Sequence, residues 1–246
     1  MNLIIVEPDE VRNGVATLYD TRAEHIIGVL DAAPGAPIRI GLLNGPFGLG
    51  TIVERDDQSV TLRCEFEPQP PPRPMVDLLL ALPRPKVMHR LWPQLSALGV
   101  GRIMLTNAER VERNYFDTHV LVDDVYTPLL IEGLQQARDT HLPMVTIHRQ
   151  LKVLIEDHLD AMCPSGVRLV AHPGVERAID DAIASPAVRC LIAIGPEGGW
   201  NEFELGLFEA HGFQAVGLGA RTLRVDTACI AILTLVHQAL ARATLR

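Results

Sequence analysis

Residues 190–204 read CLIAIGPEGGWNEFE, and this stretch decides the fold. The run Cys190–Ile194 has the length and composition of a buried strand. A glycine-rich turn, Gly195–Gly199, comes directly after it, and a helix is expected to follow. Asn201 is a suitable N-cap residue and Glu204 stands at the third helical position, which predicts a capping box. A strand, a glycine-rich turn and a helix in this order indicate a site where a ligand lies against bare backbone.

The glycine-rich turn also restricts the class of ligand. It is not a Walker loop, because no Lys-Ser/Thr pair follows it, and it does not match G-x-G-x-x-G. Without a lysine to meet a triphosphate, the turn favours an adenosine-type group recognised by backbone amides. The alternative is a tight turn in which glycine serves only the backbone geometry, and the pattern alone leaves both interpretations open.

A second informative segment, residues 218–227, reads LGARTLRVDT. It precedes a long helical segment, and Asp226 or Thr227 is expected to cap that helix. Arg221 and Arg224, three residues apart beside the helix start, can hold a phosphate or an electron-rich base edge. The alternative for such a pair is two solvated surface charges.

Apolar runs of strand length surround these two segments and alternate with the helical segments Val87–Leu98 and Val120–Arg138. This alternation predicts an α/β domain with a parallel sheet covered by helices, in which ligands bind beyond the carboxyl ends of the strands. The predicted strands are Val76–Leu82, Arg102–Thr106, Met144–Ile147, Val167–Ala171, Leu191–Ile194 and Ala215–Leu218.

A proline-rich run, Pro68–Pro74, marks a seam, since such a run favours extended polyproline geometry and continues neither a helix nor a central strand. Before it, short strands and one helical segment, Ala23–Leu30, predict a small β-barrel. The predicted strands are Asn2–Val6, Ile38–Leu43, Gly48–Glu54 and Gln58–Phe66. The sequence therefore predicts two domains, residues 1–70 and 75–246.

The composition excludes several classes of protein. A net charge of −8 argues against a bulk nucleic-acid coat protein, although not against an enzyme that gathers a few arginines at one site. Widely spaced cysteines and histidines predict neither a disulfide framework nor a metal site. We expect no signal peptide, and no apolar run approaches the roughly 20 residues that a membrane span needs. The sequence therefore predicts a cytoplasmic protein. The cysteines expected to be reduced and buried are Cys64, Cys163, Cys190 and Cys229.

The two segments together resemble the C-terminal signature of the 16S ribosomal RNA uracil-N3 methyltransferase family, within the SPOUT class. Ile194–Gly199 supplies Ile-Gly-Pro-Glu-Gly-Gly, and Leu218–Ala228 supplies Leu-Gly-x-Arg-x-Leu-Arg-x-Asp-Thr-Ala. The resemblance extends over most of residues 75–240. Three further segments are similar to the family's pattern: Ala81–Lys86, Gln135–Arg138 and Leu169–Pro173.

The resemblance implies a SPOUT α/β domain with a deep C-terminal trefoil knot, preceded by a PUA-like β-barrel that binds RNA. It implies S-adenosyl-L-methionine as cofactor, ribosomal RNA or the small ribosomal subunit as partner, and a homodimer as the active unit, without metal or membrane. Cofactor contacts are then expected from His172, Pro173, Ile194, Gly195, Pro196, Glu197, Gly198, Gly199, Leu218, Gly219, Ala220, Arg221 and Leu223. The basic residues expected to contact RNA are Arg84, Lys86, Arg90 and Arg138, with Arg110 and Arg113 as further candidates.

The implied reaction is attack by a ring nitrogen on a sulfonium methyl group. Uracil N3 carries a proton at neutral pH, so its loss must be assisted. Arg221 or Arg224 is a candidate to stabilise negative charge on the uracil carbonyl oxygens. Glu197 or Asp226 can accept the proton or orient an arginine, and the sequence leaves this assignment open.

Some residues depart from the family's pattern and leave the RNA target open. Asp31 stands where a basic residue is usual, and Ala97 and Asp226 each stand where glutamate is usual. Residues 1–72 hold eleven acidic and five basic side chains, an unusual balance for an RNA clamp. The alternatives are a methyltransferase of the same class that acts on another RNA such as a tRNA, and a non-catalytic RNA-binding or ribosome-assembly protein with this fold. Small-molecule methyl transfer is weaker, because it leaves the N-terminal domain unexplained.

Overall fold

The structure, a computed structural model, describes residues 2–183 and 189–245. Residues 1, 184–188 and 246, which belong to the predicted ranges 1–70 and 75–246, lie outside the described residues. The chain divides into two compact units. The first contains Met1–Arg73 and Ile131–Leu142, and the second contains Pro74–Leu130 and Pro143–Arg246.

The first unit contains a five-stranded mixed sheet and the helix α1, Thr21–Gly28, together with the end of a later helix. The sheet order is β1-β3-β4-β5-β2, in which β1 and β3 are parallel and the other neighbours are antiparallel. Alternate residues of β5, Val60, Leu62 and Cys64, are buried, as expected for a strand with one face on a core. The strands are β1 Ile4–Val6, β2 Val15–Leu18, β3 Pro37–Leu42, β4 Phe47–Arg55 and β5 Val60–Phe66.

The segment Ile131–Leu142 belongs to the first unit, which the predicted domain ranges did not include. Hydrogen bonds between distant parts of the chain explain the difference. The backbone N–H of Asn2 donates to the carbonyl of Gln135 at 3.3 Å. The buried hydroxyl of Thr140 donates to the carbonyl of Gly45 at 2.7 Å. These contacts bring together residues that are far apart in sequence, so local patterns carry no signal for them.

The second unit contains a six-stranded, fully parallel sheet with the order β11-β9-β10-β6-β7-β8. Every residue of β6 and β10 is buried, as expected for central strands covered on both faces. The predicted alternation of strands and helices around a parallel sheet is therefore confirmed. The strands are β6 Val76–Ala81, β7 Val100–Thr106, β8 Met144–His148, β9 Val167–Ala171, β10 Cys190–Ile194 and β11 Phe213–Val216.

The helices of the chain after β6 vary widely in length. A π-helical turn, Leu154–His158, separates two short helices, and 3-10 turns form at Arg113–Asp117 and His119–Leu121. The helices are α2 Pro85–Ala97, α3 Asp123–Ala137, α4 Leu151–Val153, α5 Leu159–Met162, α6 Ile179–Ala182, α7 Glu202–Ala210 and α8 Val225–Thr244.

Helix α8 is apolar and long, with a mean hydropathy of 1.3 over 18 residues, so by length and composition it passes the test for a membrane span. It packs against α2, α6, β6 and β10. Cys229, Leu233 and Val236 are fully buried in this packing. Its apolar composition is thus explained in part by its contacts inside the second unit.

The predicted cap of α8 is wrong. The helix begins at Val225, its N-cap residue is Arg224, and no side chain caps it. Asp226 lies inside the first turn, where its carboxylate accepts hydrogen bonds from the backbone N–H of Thr227 and from Arg90. An acidic residue in a first turn still interacts favourably with the helix dipole.

Candidate functional site

An open cleft with a cavity volume of about 100 Å³ lies at the carboxyl ends of the neighbouring strands β9, β10 and β11. The cleft brings together most of the residues that the sequence predicted as cofactor contacts. These are His172, Pro173, Ile194, Gly195, Pro196, Glu197, Gly199, Leu218, Gly219, Arg221 and Leu223; Gly198 and Ala220 do not line it.

The turn after β10 is shaped by Trp200. A side chain at Gly195 would place its Cβ 3.1 Å from the indole Nε1 of Trp200, tighter than most real Cβ contacts. Trp200 itself is 3% exposed and packs edge-on against Phe208, with ring centroids 4.9 Å apart. Gly199 has φ +71°, in the left-handed region that favours glycine. The glycines therefore let the backbone pass close to a buried aromatic core and turn sharply.

The capping box predicted at the start of α7 is confirmed. The side chain of Asn201 accepts from the backbone N–H of Glu204 at 2.8 Å, and the Glu204 carboxylate accepts from the backbone N–H of Asn201 at 2.8 Å. Glu204 is 3% exposed and also accepts from the backbone N–H of Glu109 at 2.8 Å. One buried carboxylate thus fixes both the end of the glycine-rich turn and the loop after β7.

Removal of this cap has a measurable cost. We expect Asn201→Ala to lower the free energy of unfolding by about 1 kcal/mol, because the backbone N–H of Glu204 loses its acceptor. Asn201→Ser, which can still cap, is the matched control and should stay within about 0.5 kcal/mol of the wild type. Denaturant unfolding followed by circular dichroism measures both. Equal losses in the two variants would contradict a capping role for this side chain.

Two loops meet at the other side of the cleft. The backbone N–H of His172 donates to the carbonyl of Val216 at 3.0 Å, and that of Gly217 donates to the carbonyl of Arg177 at 3.0 Å. A side chain at Gly217 would place its Cβ 1.9 Å from the carbonyl oxygen of Val175, a separation that real Cβ atoms do not show. The segments after β9 and β11 therefore pack backbone against backbone, which only glycine permits.

The cleft also has lining residues that the sequence did not predict. Apolar side chains of α6 and of the first two turns of α8 form part of its wall. Val225, Ala228 and Ile232 have the i, i+3, i+7 spacing of one helix face, which was the available signal. This spacing alone does not show that the helix face meets the carboxyl ends of β9 and β10. The unpredicted lining residues are Ala171, Ile179, Val216, Gly217, Val225, Ala228 and Ile232, whereas Thr222 belongs to the segment Leu218–Leu223 in which contacts were expected.

The four candidate catalytic residues have different surroundings. Glu197 and Arg221 line the cleft and are exposed. Arg224 is exposed at the N-cap of α8 and does not line it. Asp226 is paired with Arg90 at 3.0 Å. Glu197 accepts a long hydrogen bond of 3.5 Å from the backbone N–H of Arg84.

The four basic residues predicted to contact RNA are divided between the units. Arg84, Lys86 and Arg90 lie exposed at the start of α2 and along it, in the second unit. Arg138 belongs to the first unit, where it is exposed with φ +59° and lies beside a groove that also contains Arg39.

No metal site is found among the described residues, since no group of three or more His, Cys, Asp or Glu side chains is placed to hold an ion there. The four cysteines are buried and free. Burial raises the pKa of both Cys190 and Cys229 to about 12. Their thiols are therefore neutral at physiological pH and are not nucleophiles.

The sequence pattern of the family described as "RNA methyltransferase domain" matches residues 70–237, a range that contains the whole cleft. The chain belongs to this family. A curated member, the ribosomal RNA small subunit methyltransferase E of Treponema pallidum (strain Nichols), is 33% identical over 244 residues, which cover 94% of this chain and 88% of the relative. The ribosomal RNA small subunit methyltransferase E 1 of Borreliella burgdorferi (strain ATCC 35210 / DSM 4680 / CIP 102532 / B31) is 25% identical, over 94% of this chain and 95% of the relative.

Solved structures of the family share the fold. The ribosomal RNA small subunit methyltransferase E of Neisseria gonorrhoeae, solved with S-adenosyl methionine, superposes with a TM-score of 0.77 at 21% identity, and 97% of each chain is covered. A probable rRNA-methyltransferase of Porphyromonas gingivalis gives a TM-score of 0.78 at 23% identity, over 98% of this chain and 99% of that chain. The mixed α/β architecture with two sheets is therefore the family's fold.

Proposed function

We propose that this protein transfers a methyl group from S-adenosyl-L-methionine to N3 of a uracil in 16S ribosomal RNA, as a step in maturation of the small ribosomal subunit in the cytoplasm. The observation that carries the proposal is the cleft at the carboxyl ends of β9, β10 and β11, which is built from bare backbone on one side and apolar helix faces on the other. Membership of the RNA methyltransferase family and the curated relatives support the same activity.

The residues of the cleft fit the cofactor. An adenosyl group has a flat apolar surface and hydrogen-bonding edges, and it suits a wall in which backbone N–H and C=O groups are free of side chains. Gly195 and Gly217 stand where a Cβ would collide with neighbouring atoms, and Gly219 has φ +90°. Ile232 and Val225 supply apolar surface on the other wall. The Gly195–Gly199 turn and the Leu218–Leu223 segment would hold the cofactor.

The bound cofactor supplies an electrophilic methyl group on a sulfonium, with a thioether as leaving group. The chain supplies alignment, exclusion of water and help with the N3 proton. Glu197 suits proton acceptance, because it lines the cleft and is exposed. Its only hydrogen bond within residues 2–183 and 189–245 is a long one of 3.5 Å, accepted from the backbone N–H of Arg84. Arg221, which also lines the cleft, suits stabilisation of the negative charge that spreads over the uracil carbonyl oxygens.

The carboxylate of Asp226 is engaged in a different way. One oxygen accepts from Arg90 at 3.0 Å and the other accepts from the backbone N–H of Thr227 at 3.0 Å. Both carboxylate oxygens therefore already have hydrogen-bond donors within the chain. We therefore propose that Asp226 orients Arg90 of α2, a helix at whose start Arg84 and Lys86 supply further positive charge for RNA.

The proposal is tested in two steps. Calorimetric titration with S-adenosylmethionine, S-adenosylhomocysteine and ATP should give binding of the first two and none of the third. In the second step, small ribosomal subunits from a strain that lacks the enzyme are incubated with the purified protein and S-adenosylmethionine. Their 16S rRNA should gain 3-methyluridine, detected by mass spectrometry of nucleosides. Methylation of tRNA instead would contradict the proposed substrate. Absence of cofactor binding with or without RNA would contradict catalysis altogether.

We propose further that the first unit is a PUA-like barrel that binds RNA, and that the second unit carries a deep trefoil knot near its C-terminus. The backbone contacts between the segments after β9 and β11 support a knotted crossing, because the chain there passes close to itself before it returns along α8. A crystal structure whose traced backbone can be pulled straight from both ends would contradict the knot.

We also propose that the active unit is a homodimer in which α8 contributes to the interface. Only 39% of the apolar 18-residue window of α8 is buried, and Ile230 and Leu235 are each 39% exposed. A helix of this composition gains free energy when a second copy covers the exposed part. No metal or membrane enters the proposed function.

The dimer proposal predicts the effect of a charge on α8. We expect the wild type to sediment as a dimer and Leu235→Asp to weaken the dimer by at least about tenfold, because an unpaired carboxylate is then desolvated in the interface. Val153→Asp, which places the same charge on an exposed residue of α4, is the control and should leave the dimer intact. Analytical ultracentrifugation measures both, and a monomeric wild type would contradict the proposal.

A further inference from the structure

Arg110, in the loop after β7, is held against the glycine-rich turn. Its Nη1 donates a hydrogen bond to the carbonyl oxygen of Gly198. The aliphatic part of the side chain occupies the space that a Gly198 side chain would need, since an ideal Cβ there lies 2.8 Å from Arg110 Cδ and 3.2 Å from Arg110 Cβ. One side chain thus covers this glycine and binds its carbonyl.

The backbone next to Arg110 is held in place by hydrogen bonds. The residue before Arg110, Glu109, donates its backbone N–H to Glu204, and the same buried carboxylate accepts from the backbone N–H of Asn201. Both hydrogen bonds are 2.8 Å long. The loop after β7 and the end of the turn therefore share one anchor, and Arg110 adds a second contact a few residues away.

The turn has little stiffness of its own at this point. Gly198 and Gly199 are adjacent, and glycine has more backbone freedom than any other residue. Pro196, Glu197 and Gly199 line the cleft, whereas Gly198 does not. Within residues 2–183 and 189–245, Arg110 forms no ion pair, and its side-chain hydrogen bond is the one to the turn.

We propose that Arg110 is a positioning residue for the cofactor cleft. It acts through Gly198, without contact with the cofactor, and holds the Gly195–Gly199 turn in the conformation that binds S-adenosylmethionine. This inference rests on the proposed function, which assigns the cleft to that cofactor. Without Arg110 the two glycines sample other backbone conformations, and the bound conformation must then be selected at an entropic cost.

The inference predicts a specific kinetic pattern. Arg110→Ala should raise the Kd and the KM for S-adenosylmethionine about tenfold, the effect of ordering roughly one backbone residue. Its kcat at saturating cofactor should stay within about twofold, because the occupied turn is the same in both proteins. Arg110→Lys keeps the stem and a donor and should recover part of the affinity. Arg149→Ala removes an arginine that contacts Phe116 and Asp117 at the other end of the same loop, and it should bind cofactor as the wild type does.

A double-mutant cycle separates this role from a general loss of stability. Gly198→Ala is free of backbone strain, because Gly198 lies outside the left-handed region, but its Cβ displaces the Arg110 stem. It should therefore weaken cofactor binding about as much as Arg110→Ala, and the double variant should be no weaker than either single variant. Additive losses, or an unchanged Kd in Arg110→Ala, would overturn the inference. Failure of the wild type to bind the cofactor would instead overturn the proposed function.

Discussion

Replacement of Gly217 by alanine is expected to abolish S-adenosylmethionine binding and to destabilise the second unit strongly. The new Cβ would lie 1.9 Å from the carbonyl oxygen of Val175 and 2.9 Å from its carbonyl carbon. These are backbone atoms, so no side-chain rotation relieves the collision. The loop after β9 or the loop after β11 must move, and the hydrogen bond from Gly217 to the carbonyl of Arg177 is lost with it.

The expected loss is about 3 kcal/mol or more, from overpacking of a tight site together with one broken backbone hydrogen bond. Thermal unfolding gives the stability and calorimetry gives the cofactor affinity. Gly206→Ala is the matched control, because Gly206 lies inside α7 with nothing within 4 Å of its Cβ position. That change should be neutral or stabilising, since alanine has the higher helix propensity. A Gly217→Ala protein that melts with the wild type and binds the cofactor normally would contradict the close packing of the two loops.

Local sequence patterns identified the parts of the site that local chemistry determines. The capping box at Asn201 and Glu204 is a property of four consecutive residues, so the sequence was sufficient to predict it. The strands that carry the cleft were likewise predicted within a few residues, because each is a short, mostly apolar run and those of β10 and β11 end at a glycine. The strand β2, Val15–Leu18, has only four residues and was not predicted.

Contacts between distant segments explain what the sequence did not predict. The steric role of Gly217 depends on the position of Val175, which is set by the packing of two loops. The contact of Arg110 with Gly198 joins residues 88 positions apart, so its side chain was predicted only as a possible surface contact for RNA. Ile179 and Ile232 contribute to the cleft because α6 and α8 pack beside each other. Tertiary packing of this kind has no local sequence signature.

At the start of α8, the local sequence signal for an N-cap is overridden by tertiary contacts. Aspartate and threonine are favoured N-cap residues, and both occur where the helix was expected to begin. The helix instead begins at Val225, one residue before Asp226. The Asp226 carboxylate pairs with Arg90 of α2, 136 residues away in sequence. The Asp226 side chain, which the local pattern assigned to the N-cap, thus pairs with a charged side chain of another helix instead.

Removal of the guanidinium of Arg221 is expected to lower kcat about 10²- to 10³-fold, the usual effect of deleting one donor that stabilises developing negative charge. Arg221 lines the cleft, is exposed and has no ion pair among the described residues, so its charge is available to a substrate. Loss of the N3 proton spreads negative charge over two uracil carbonyl oxygens, and without a cation beside them the nitrogen is a poorer nucleophile at neutral pH. Single-turnover methylation at saturating cofactor measures this effect separately from binding.

Arg224→Ala is the matched comparison, because Arg224 is an exposed arginine three residues away that does not line the cleft. We expect it to lose less activity than Arg221→Ala, and mainly through RNA affinity, as for a residue that contacts the RNA backbone. The pH dependence of the methylation rate is a further test, because a purely structural role of Arg221 would not change it. If Arg221 favours the deprotonated uracil, the Arg221→Ala protein should regain part of its rate as the pH rises and N3 loses its proton without help. Equal rates for the wild type and both arginine variants would remove charge stabilisation from the mechanism and leave alignment of the two substrates as the source of catalysis.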